Sequence, residues 1–117
     1  MSNNVIEVSE CEAELLSIIN DILSGRGEYY LERRSENYLT LVAGEYDFCR
    51  LKATERTRWI SLDMWRCSES IKNSEKLKNV SNKNQRHWKI KLSDINDIRN
   101  YADILVASFE SSIAVKM

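Results

Sequence analysis

The sequence contains few residues with the types and spacing of a catalytic or metal site. His87 is the single histidine, and the three cysteines, Cys11, Cys49 and Cys67, lie far apart in the chain. Structural zinc sites normally use close-spaced ligand pairs, so a Cys3His site is disfavoured. A cysteine or serine nucleophile would need His87 as its base, but nothing identifies that nucleophile. We therefore expect no catalytic residue, no metal and no cofactor, with an enzyme as the least favoured class.

Two aspartates invite comparison with metal-dependent nucleases. A PD-(D/E)xK site needs an aspartate followed, on the next strand, by an acid-x-Lys triplet. Asp47 and Asp63 fall on neighbouring predicted strands. Neither is followed by an acid-x-Lys triplet, which the metal chemistry of such a site requires. The three glycines are also too few and too scattered to form a phosphate-binding loop.

Positive charge is concentrated in one segment. Residues 66–91 carry 8 Lys or Arg against 2 Asp or Glu, a net +6, whereas residues 1–65 carry 7 against 12 and residues 92–117 carry 2 against 4. Basic side chains neutralise phosphates, and aromatic rings stack on unpaired bases. The predicted contacts to nucleic acid or to an acidic partner are Arg66, Lys72, Lys76, Lys78, Lys83, Arg86, His87, Lys89 and Lys91.

The alternative for this segment is an ordinary solvated loop followed by a strand. Asn and Ser dilute its lysines, and alternate lysines on an exposed or edge strand discourage aggregation. Within the segment, Arg86, Lys89 and Lys91 are the preferred contacts, because a strand would hold them on ordered backbone.

A second group of residues has the composition of a binding interface. Tryptophan together with arginine is typical of interface hot spots. The residues are Arg50, Lys52, Arg56, Arg58, Trp59 and Trp65. For the two tryptophans we favour a core position, because two helices are available to cover the sheet. The alternative is that they mark an interface.

The first element that the sequence predicts is an amphipathic helix over about residues 9–24. Ser9 can cap it, and Glu12 can reach back in a capping box. Gly25 follows where a terminating glycine belongs. Apolar residues recur at helical spacing: Leu15, Ile18, Ile19, Ile22 and Leu23.

From residue 28 to residue 65 the apolar period changes to two, which predicts four strands. In residues 58–65, Ile60, Leu62 and Met64 alternate with Trp59, Ser61, Asp63 and Trp65. Such alternation is typical of a sheet packed on one side. Residues 66–86 are predicted as a basic helix and loop, residues 87–92 as a fifth strand, and residues 93–112 as a helix capped by Ser93.

This order predicts one α+β domain over residues 1–117. We expect a two-layer sandwich, in which an antiparallel sheet of about five strands carries the N-terminal and C-terminal helices on one face. No apolar run approaches the ~20 residues of a membrane span, and the N-terminus lacks the pattern of a signal peptide. Three unpatterned cysteines favour a reducing compartment. We therefore expect a cytoplasmic protein with no membrane partner.

Two stretches resemble a known family. "FCRLKATERTRWISLDM", followed by a basic spacer and "HWKIKLSDINDIRNYADILVASFES", is similar to the small DUF5655-type domain, over about residues 46–110. That family has no established enzymatic activity and occurs alone or with nuclease-like and restriction-associated proteins. The resemblance implies a binding or accessory role. This chain differs by its long Asn/Lys/Ser-rich insert and by having no enzymatic partner domain.

The sequence thus predicts a non-catalytic binding or accessory module. The lead hypothesis is contact with nucleic acid or a nucleoprotein through the basic segment and the Arg/Trp hairpin. The alternative is a small phage or mobile-element inhibitor that binds a host defence protein, in the manner of anti-CRISPR or anti-restriction proteins. Homodimerisation through a sheet edge is left open.

Overall fold

The computed structural model describes residues 7–81 and 83–114. Its strands are β1 (Tyr30–Ser35), β2 (Tyr38–Ala43), β3 (Tyr46–Ala53), β4 (Arg58–Asp63) and β5 (His87–Lys91). Its α-helices are α1 (Glu10–Leu23), α2 (Glu69–Lys72) and α3 (Ala102–Ala114), and 3₁₀ turns cover Glu75–Leu77 and Ile95–Tyr101.

The five strands form one antiparallel sheet in the order of the chain. The register pairs Leu41 with Cys49 but Val42 with Asp47, so Phe48 forms a bulge in β3. A bulge adds a residue to one strand and bends it locally. Phe48 is fully buried here and packs edge-on against Phe109 of α3. The predicted α+β class, with a terminal helix at each end of the chain, is confirmed.

Alternation along the strands divides the sheet into an apolar face and a polar face. Leu51, Ile60 and Ile90 oppose one another across β3, β4 and β5 and are buried. They belong to the same core as Leu15 of α1 and Leu105 of α3. Burial of these side chains is the main favourable contribution to folding. Both terminal helices therefore cover one face, and no helix formed by the described residues lies on the other.

The N-terminal helix forms as its sequence predicts. Ser9 Oγ accepts a hydrogen bond from Glu12 N at 3.1 Å, and Glu12 Oε1 accepts one from Ser9 N at 3.0 Å. Gly25 follows the helix with φ of +78°, in the left-handed region that glycine adopts without strain. The predicted capping box and glycine stop are confirmed.

The C-terminal helix starts differently from the prediction. Asp94, not Ser93, is the N-cap, and it accepts hydrogen bonds from the backbone and side chain of Asn96. Asp97 accepts in return from the backbone N–H groups of Ser93 and Asp94. Asp94 and Asp97 form a capping box, and the helical turns begin one residue later than predicted, at Ile95, first as a 3₁₀ helix.

The basic segment is also less helical than predicted. Ser68 and Ser74 each cap a separate short turn, so the helix of four residues ends before a 3₁₀ turn of three. Leu77 is fully buried and anchors the segment to the core. Ser81 pairs with Lys89 in an isolated bridge, which places it against the outer edge of β5. Along the described residues, no helix has the length and apolar character needed to cross a membrane.

Candidate binding surface on the uncovered face of the sheet

The face without a helix, here the uncovered face, is built by the alternate residues of β2 to β5. Cross-strand pairing arranges them in successive rows along the sheet. Lys52, Trp59 and Lys91 form one row. Arg50, Ser61 and Lys89 form the next, and Asp63 and His87 the third. Residues directly opposite in adjacent strands have Cβ atoms about 5 Å apart, so each row is a continuous surface.

One end of this face combines aromatic rings with lysines. We call Tyr38, Lys52, Trp59, Lys89 and Lys91 the Lys–aromatic patch. The ring centroids of Tyr38 and Trp59 are 6.2 Å apart and their planes are tilted by 47°. Lys89 Nζ lies 4.5 Å from the centre of the Trp59 ring. None of the three lysines forms an ion pair with another side chain of residues 7–81 and 83–114.

The other end of the face holds a group in which two arginines share one carboxylate, and we call it the Asp63 cluster: Tyr46, Asp63, Arg66 and Arg86. Asp63 is only 2% exposed. Its Oδ2 accepts hydrogen bonds from Arg66 Nη1 at 3.0 Å and from Arg86 Nε and Nη2 at 3.0 and 2.9 Å. These charge-assisted bonds raise the pKa of Arg86. Arg66 also lies over the Tyr46 ring, 3.9 Å from its centre.

His87 lies beside this cluster and is half-buried. Its Nε2 is 3.4 Å from the Asp47 carbonyl and 3.6 Å from Asp47 Oδ2. Burial and then the charge of Arg50 lower its pKa, and these outweigh the opposing effects of Asp47 and Asp63. His87 is therefore neutral at pH 7. Two clefts, of about 1840 and 410 Å³, lie beside β1, and His87 lines neither.

The predicted basic contacts are divided: five of them, Arg66, Arg86, His87, Lys89 and Lys91, lie at the uncovered face, and the others lie in the segment before β5. Arg66 and Arg86 are bound to Asp63, Lys76 pairs with Asp103 at 3.1 Å, and Lys72 lies 3.9 Å from Glu69. The exposed Lys83 donates to the carbonyl of the exposed Lys78. Lys89 and Lys91 lie on the uncovered face, as the alternation of β5 predicts.

The second predicted group is also divided. Arg50 donates to Asp47 at 3.0 Å, and Arg56 is exposed in the turn between β3 and β4. Arg58 opposes Ala53 and therefore shares the helix-bearing side with Ile60. It lies near Asp94, whose pKa is lowered by hydrogen bonds from Asn96 and also by this arginine.

The preferred core position for the two tryptophans is wrong. Trp59 is partly exposed and Trp65 is 69% exposed. Both terminal helices pack on the side of Ile60, so alternation places Trp59 on the side without a helix. Trp65 lies beyond the end of β4, where neither terminal helix covers it. Its backbone N–H donates to Asp63 Oδ1 at 3.0 Å.

Two important residues were missing from the predicted contact residues. Tyr38 completes the Lys–aromatic patch, and Asp63 organises the cluster at the other end. The register of β2 and β3 pairs Leu39 with Leu51, which puts Tyr38 beside Lys52. Alternation alone could have revealed Tyr38, since it precedes the apolar series of β2 by one residue. No sequence signal shows that Asp63 receives two arginines from opposite ends of a 21-residue segment.

The sheet edges are unequal. Ser81 partly occupies the outer edge of β5, whereas β1 pairs only with β2 among the described residues. Arg33 of β1 forms a bidentate ion pair with Glu12 of α1, at 2.6 and 3.1 Å. Burial alone would raise the pKa of Glu12, but its hydrogen bonds with Arg33 and Ser9 lower it. The predicted homodimer contact remains a prediction, and β1 is the edge that would serve it.

Comparison with known proteins gives no relative: no family model, no curated protein and no solved structure matches this chain. The resemblance to the DUF5655-type domain therefore remains a prediction. Within residues 7–81 and 83–114, no three His, Cys, Asp or Glu side chains converge as a metal site would require.

Proposed function

We propose that this protein is a non-catalytic binding module that contacts nucleic acid, alone or in a nucleoprotein, through the Lys–aromatic patch. The observation that carries the proposal is the row of Lys52, Trp59 and Lys91 on the uncovered face, with Lys89 above the Trp59 ring. Lysines without carboxylate partners can neutralise phosphates and release counterions. Lysines together with neighbouring aromatic side chains are the composition of protein surfaces that bind nucleic acid.

The proposal moves the contact away from the loop that carries most of the charge. Arg66, Arg86 and Lys76 already bind carboxylates of this chain, so a phosphate would have to compete for them. Lys52, Lys89 and Lys91 have no such competitor among the described residues. They also lie on strands, whose ordered backbone lowers the entropy lost on binding.

Charge reversal tests the proposal. We expect the triple variant Lys52→Glu, Lys89→Glu and Lys91→Glu to weaken binding of a labelled oligonucleotide at least tenfold in fluorescence anisotropy. The matched control is Lys72→Glu, Lys76→Glu and Lys78→Glu, which changes net charge equally but lies off the patch. We expect the control to keep most of the affinity. Equal losses in both variants would show that net charge alone attracts the ligand.

Salt dependence gives a second measurement. Three phosphate contacts to a single strand predict a slope of about −2 for log K against log salt concentration. We expect the slope to approach zero in the patch variant and to persist in the control. No binding by the unaltered protein at low salt would end the proposal.

A protein partner is the second candidate, favoured by Trp65. This side chain is 69% exposed, while its backbone is fixed by the bond to Asp63. Exposed tryptophan beside arginine has hot-spot composition and suits a small inhibitor of a host defence protein. Such a role predicts a complex that survives nuclease treatment in a pull-down. Trp65→Ala should abolish that complex, and the charge-reversed patch variant should retain it.

A further inference from the structure

We infer that the nucleic acid recognised by the Lys–aromatic patch is single-stranded, with unpaired bases stacked on Tyr38 and Trp59. This inference rests on the proposed function, because it specifies the ligand of the same surface. Its basis is the arrangement of the two rings relative to the three lysines.

The rings can be used only by unpaired bases. Both faces of a base inside a duplex are covered by its neighbours, whereas an unpaired base offers a free π-face. Tyr38 and Trp59 are 6.2 Å apart and tilted by 47°, so they do not stack on each other. Neither ring therefore covers the face of the other, and the position that a base would take on each ring is now held by a cation.

The lysines are placed to hold the backbone of the same strand. Lys52 and Lys91 are the direct cross-strand neighbours of Trp59, on β3 and β5. A base on Trp59 would thus have a cation on each side within reach of its phosphates. The path of the ligand runs across the strands, from Tyr38 on β2 towards Lys91.

A cation now lies over each ring, and the one over Trp59, the Lys89 ammonium, has no carboxylate partner among the described residues and can move to phosphate. Lys89 Nζ is 4.5 Å from the Trp59 ring centre, and Arg50 Cζ is 5.6 Å from the Tyr38 ring centre. Cation–π contacts at exposed sites are weak. A base that takes the place of the Lys89 ammonium gains stacking, and the released ammonium gains a phosphate.

Unused hydrogen-bonding capacity lies next to the rings. Arg50 Nε and Thr40 Oγ1 are buried and have no partner among the described residues, and the two residues oppose each other across β2 and β3. A buried polar group without a partner costs free energy. Movement of the Arg50 guanidinium off Tyr38, in exchange for its hydrogen bond to Asp47, would let Nε donate to a base or phosphate acceptor.

The shape of the surface does not favour a duplex. The major groove admits an α-helix or a two-stranded ribbon, whereas the patch spans four strands of a five-stranded sheet. A duplex could therefore meet the lysines only through one backbone, without use of Tyr38 or Trp59.

The test compares an oligothymidylate of about 12 nucleotides, within the usual site size, with a duplex of equal length. We expect the single strand to bind at least tenfold more tightly and to quench tryptophan fluorescence. Trp59→Leu should weaken single-strand binding about tenfold, and Trp59→Phe should retain most of it, because phenylalanine keeps a π-face. Trp65→Ala, which removes an exposed ring outside the patch, should leave the affinity unchanged.

Three results would overturn the inference. Equal affinity for single strand and duplex would refute the strand preference and leave the proposed function standing. Equal effects of Trp59→Leu and Trp59→Phe, in variants with unchanged thermal midpoints, would exclude stacking. Binding of neither nucleic acid by the unaltered protein would end both proposals and favour the protein partner at Trp65.

Discussion

The two ends of the uncovered face differ in how their positive charge is used. Trp59 and Asp63 lie on the same face of β4, four residues apart, and Lys91 and His87 do the same on β5. At one end Asp63 binds Arg66 and Arg86. At the other end Lys52, Lys89 and Lys91 have no carboxylate partner among the described residues. The comparison shows that neighbouring basic residues on one sheet differ in availability: Arg66 and Arg86 already have a carboxylate of this chain as partner, and the three lysines have none among the described residues.

The two ends also differ in their relation to stability. Where a buried carboxylate pairs with two arginines, removal of the carboxylate or of an arginine strongly destabilises the folded protein. Exposed lysines on a sheet face contribute little. We therefore expect mutations at the Asp63 end to change folding, and mutations at the patch to change binding.

The largest effect is expected for Asp63→Asn. The substitution keeps the shape but leaves Arg66 and Arg86 without their carboxylate, so we expect a loss of about 3 kcal/mol in the free energy of unfolding. Urea denaturation measures it. The control is Asp103→Asn, which removes a carboxylate that pairs with Lys76 at the surface and should cost below about 1 kcal/mol. Similar losses in both variants would contradict the contrast between the two ends.

A smaller effect is expected for Ser108→Ala. The Ser108 hydroxyl of α3 is fully buried, 2.8 Å from the Phe48 carbonyl and 3.0 Å from that of Asp63. Its removal takes away the single hydroxyl proton that the two carbonyls share, at a cost of about 1–2 kcal/mol. Ser111→Ala, on the same helix, removes a partly buried hydroxyl that donates to the Ser108 carbonyl and contacts the Cys67 thiol, and it should cost less, about 0.5 kcal/mol. We expect the thermal midpoint of Ser108→Ala to lie below that of Ser111→Ala, and the reverse order would contradict this prediction.

His87 makes the folding stability depend on pH at the Asp63 end of the face. Its pKa in the folded protein is lowered by burial and by Arg50, so the unfolded chain binds the proton more readily. Stability is therefore full above the unfolded pKa of about 6.5 and is lost as pH falls towards the folded value, by at most about 1.4 kcal/mol per pH unit.

Unfolding of the unaltered protein and of His87→Gln at pH 7.5 and pH 5.5 tests this. The variant should lose less stability over that interval, because glutamine does not titrate. Glu12 does not interfere, since its pKa is lowered and its contribution is lost only at more acidic pH. A parallel loss in both proteins would show that other groups carry the effect.

The smallest effect on folding is expected at the patch. Lys52→Gln, Lys89→Gln and Lys91→Gln should each change the free energy of unfolding by less than about 0.5 kcal/mol. Combined, they should leave the thermal midpoint nearly unchanged while abolishing the salt dependence of binding. A large loss of stability in the triple variant would mean that these lysines support the fold.

Local patterns explain how much of the fold was predictable. The Ser9–Glu12 capping box, the alternation around Ile60 and the helical spacing of α1 each depend on neighbouring residues, so the sequence contains them directly. The start of the last helix was predicted one residue too early, because Ser93 and Asp94 are both good N-cap residues. The choice between them depends on the backbone N–H groups that donate to Asp97. The single helix expected near Ser68 failed because a second serine, Ser74, caps a separate turn.

The site was less predictable than the fold. Lys89 and Lys91 were placed correctly because alternation on β5 depends only on local geometry. Trp59 and Trp65 were misplaced because alternation does not show which face the helices cover. The ion pairs of Arg66 and Arg86 with Asp63 were not predicted, because a count of basic residues does not show which of them meet a carboxylate.

The sequence by itself determined the elements of this protein, their order and the apolar face of each strand, since these follow from periods of two and 3.6 residues and from local caps. Only the tertiary structure decided which charges remain available. It brought Arg66 and Arg86 together on Asp63 and left Lys52, Lys89 and Lys91 around Trp59. The physical reason is that a charged side chain pairs with an oppositely charged group that lies near it in space. Cross-strand register brings together residues that are distant in the chain.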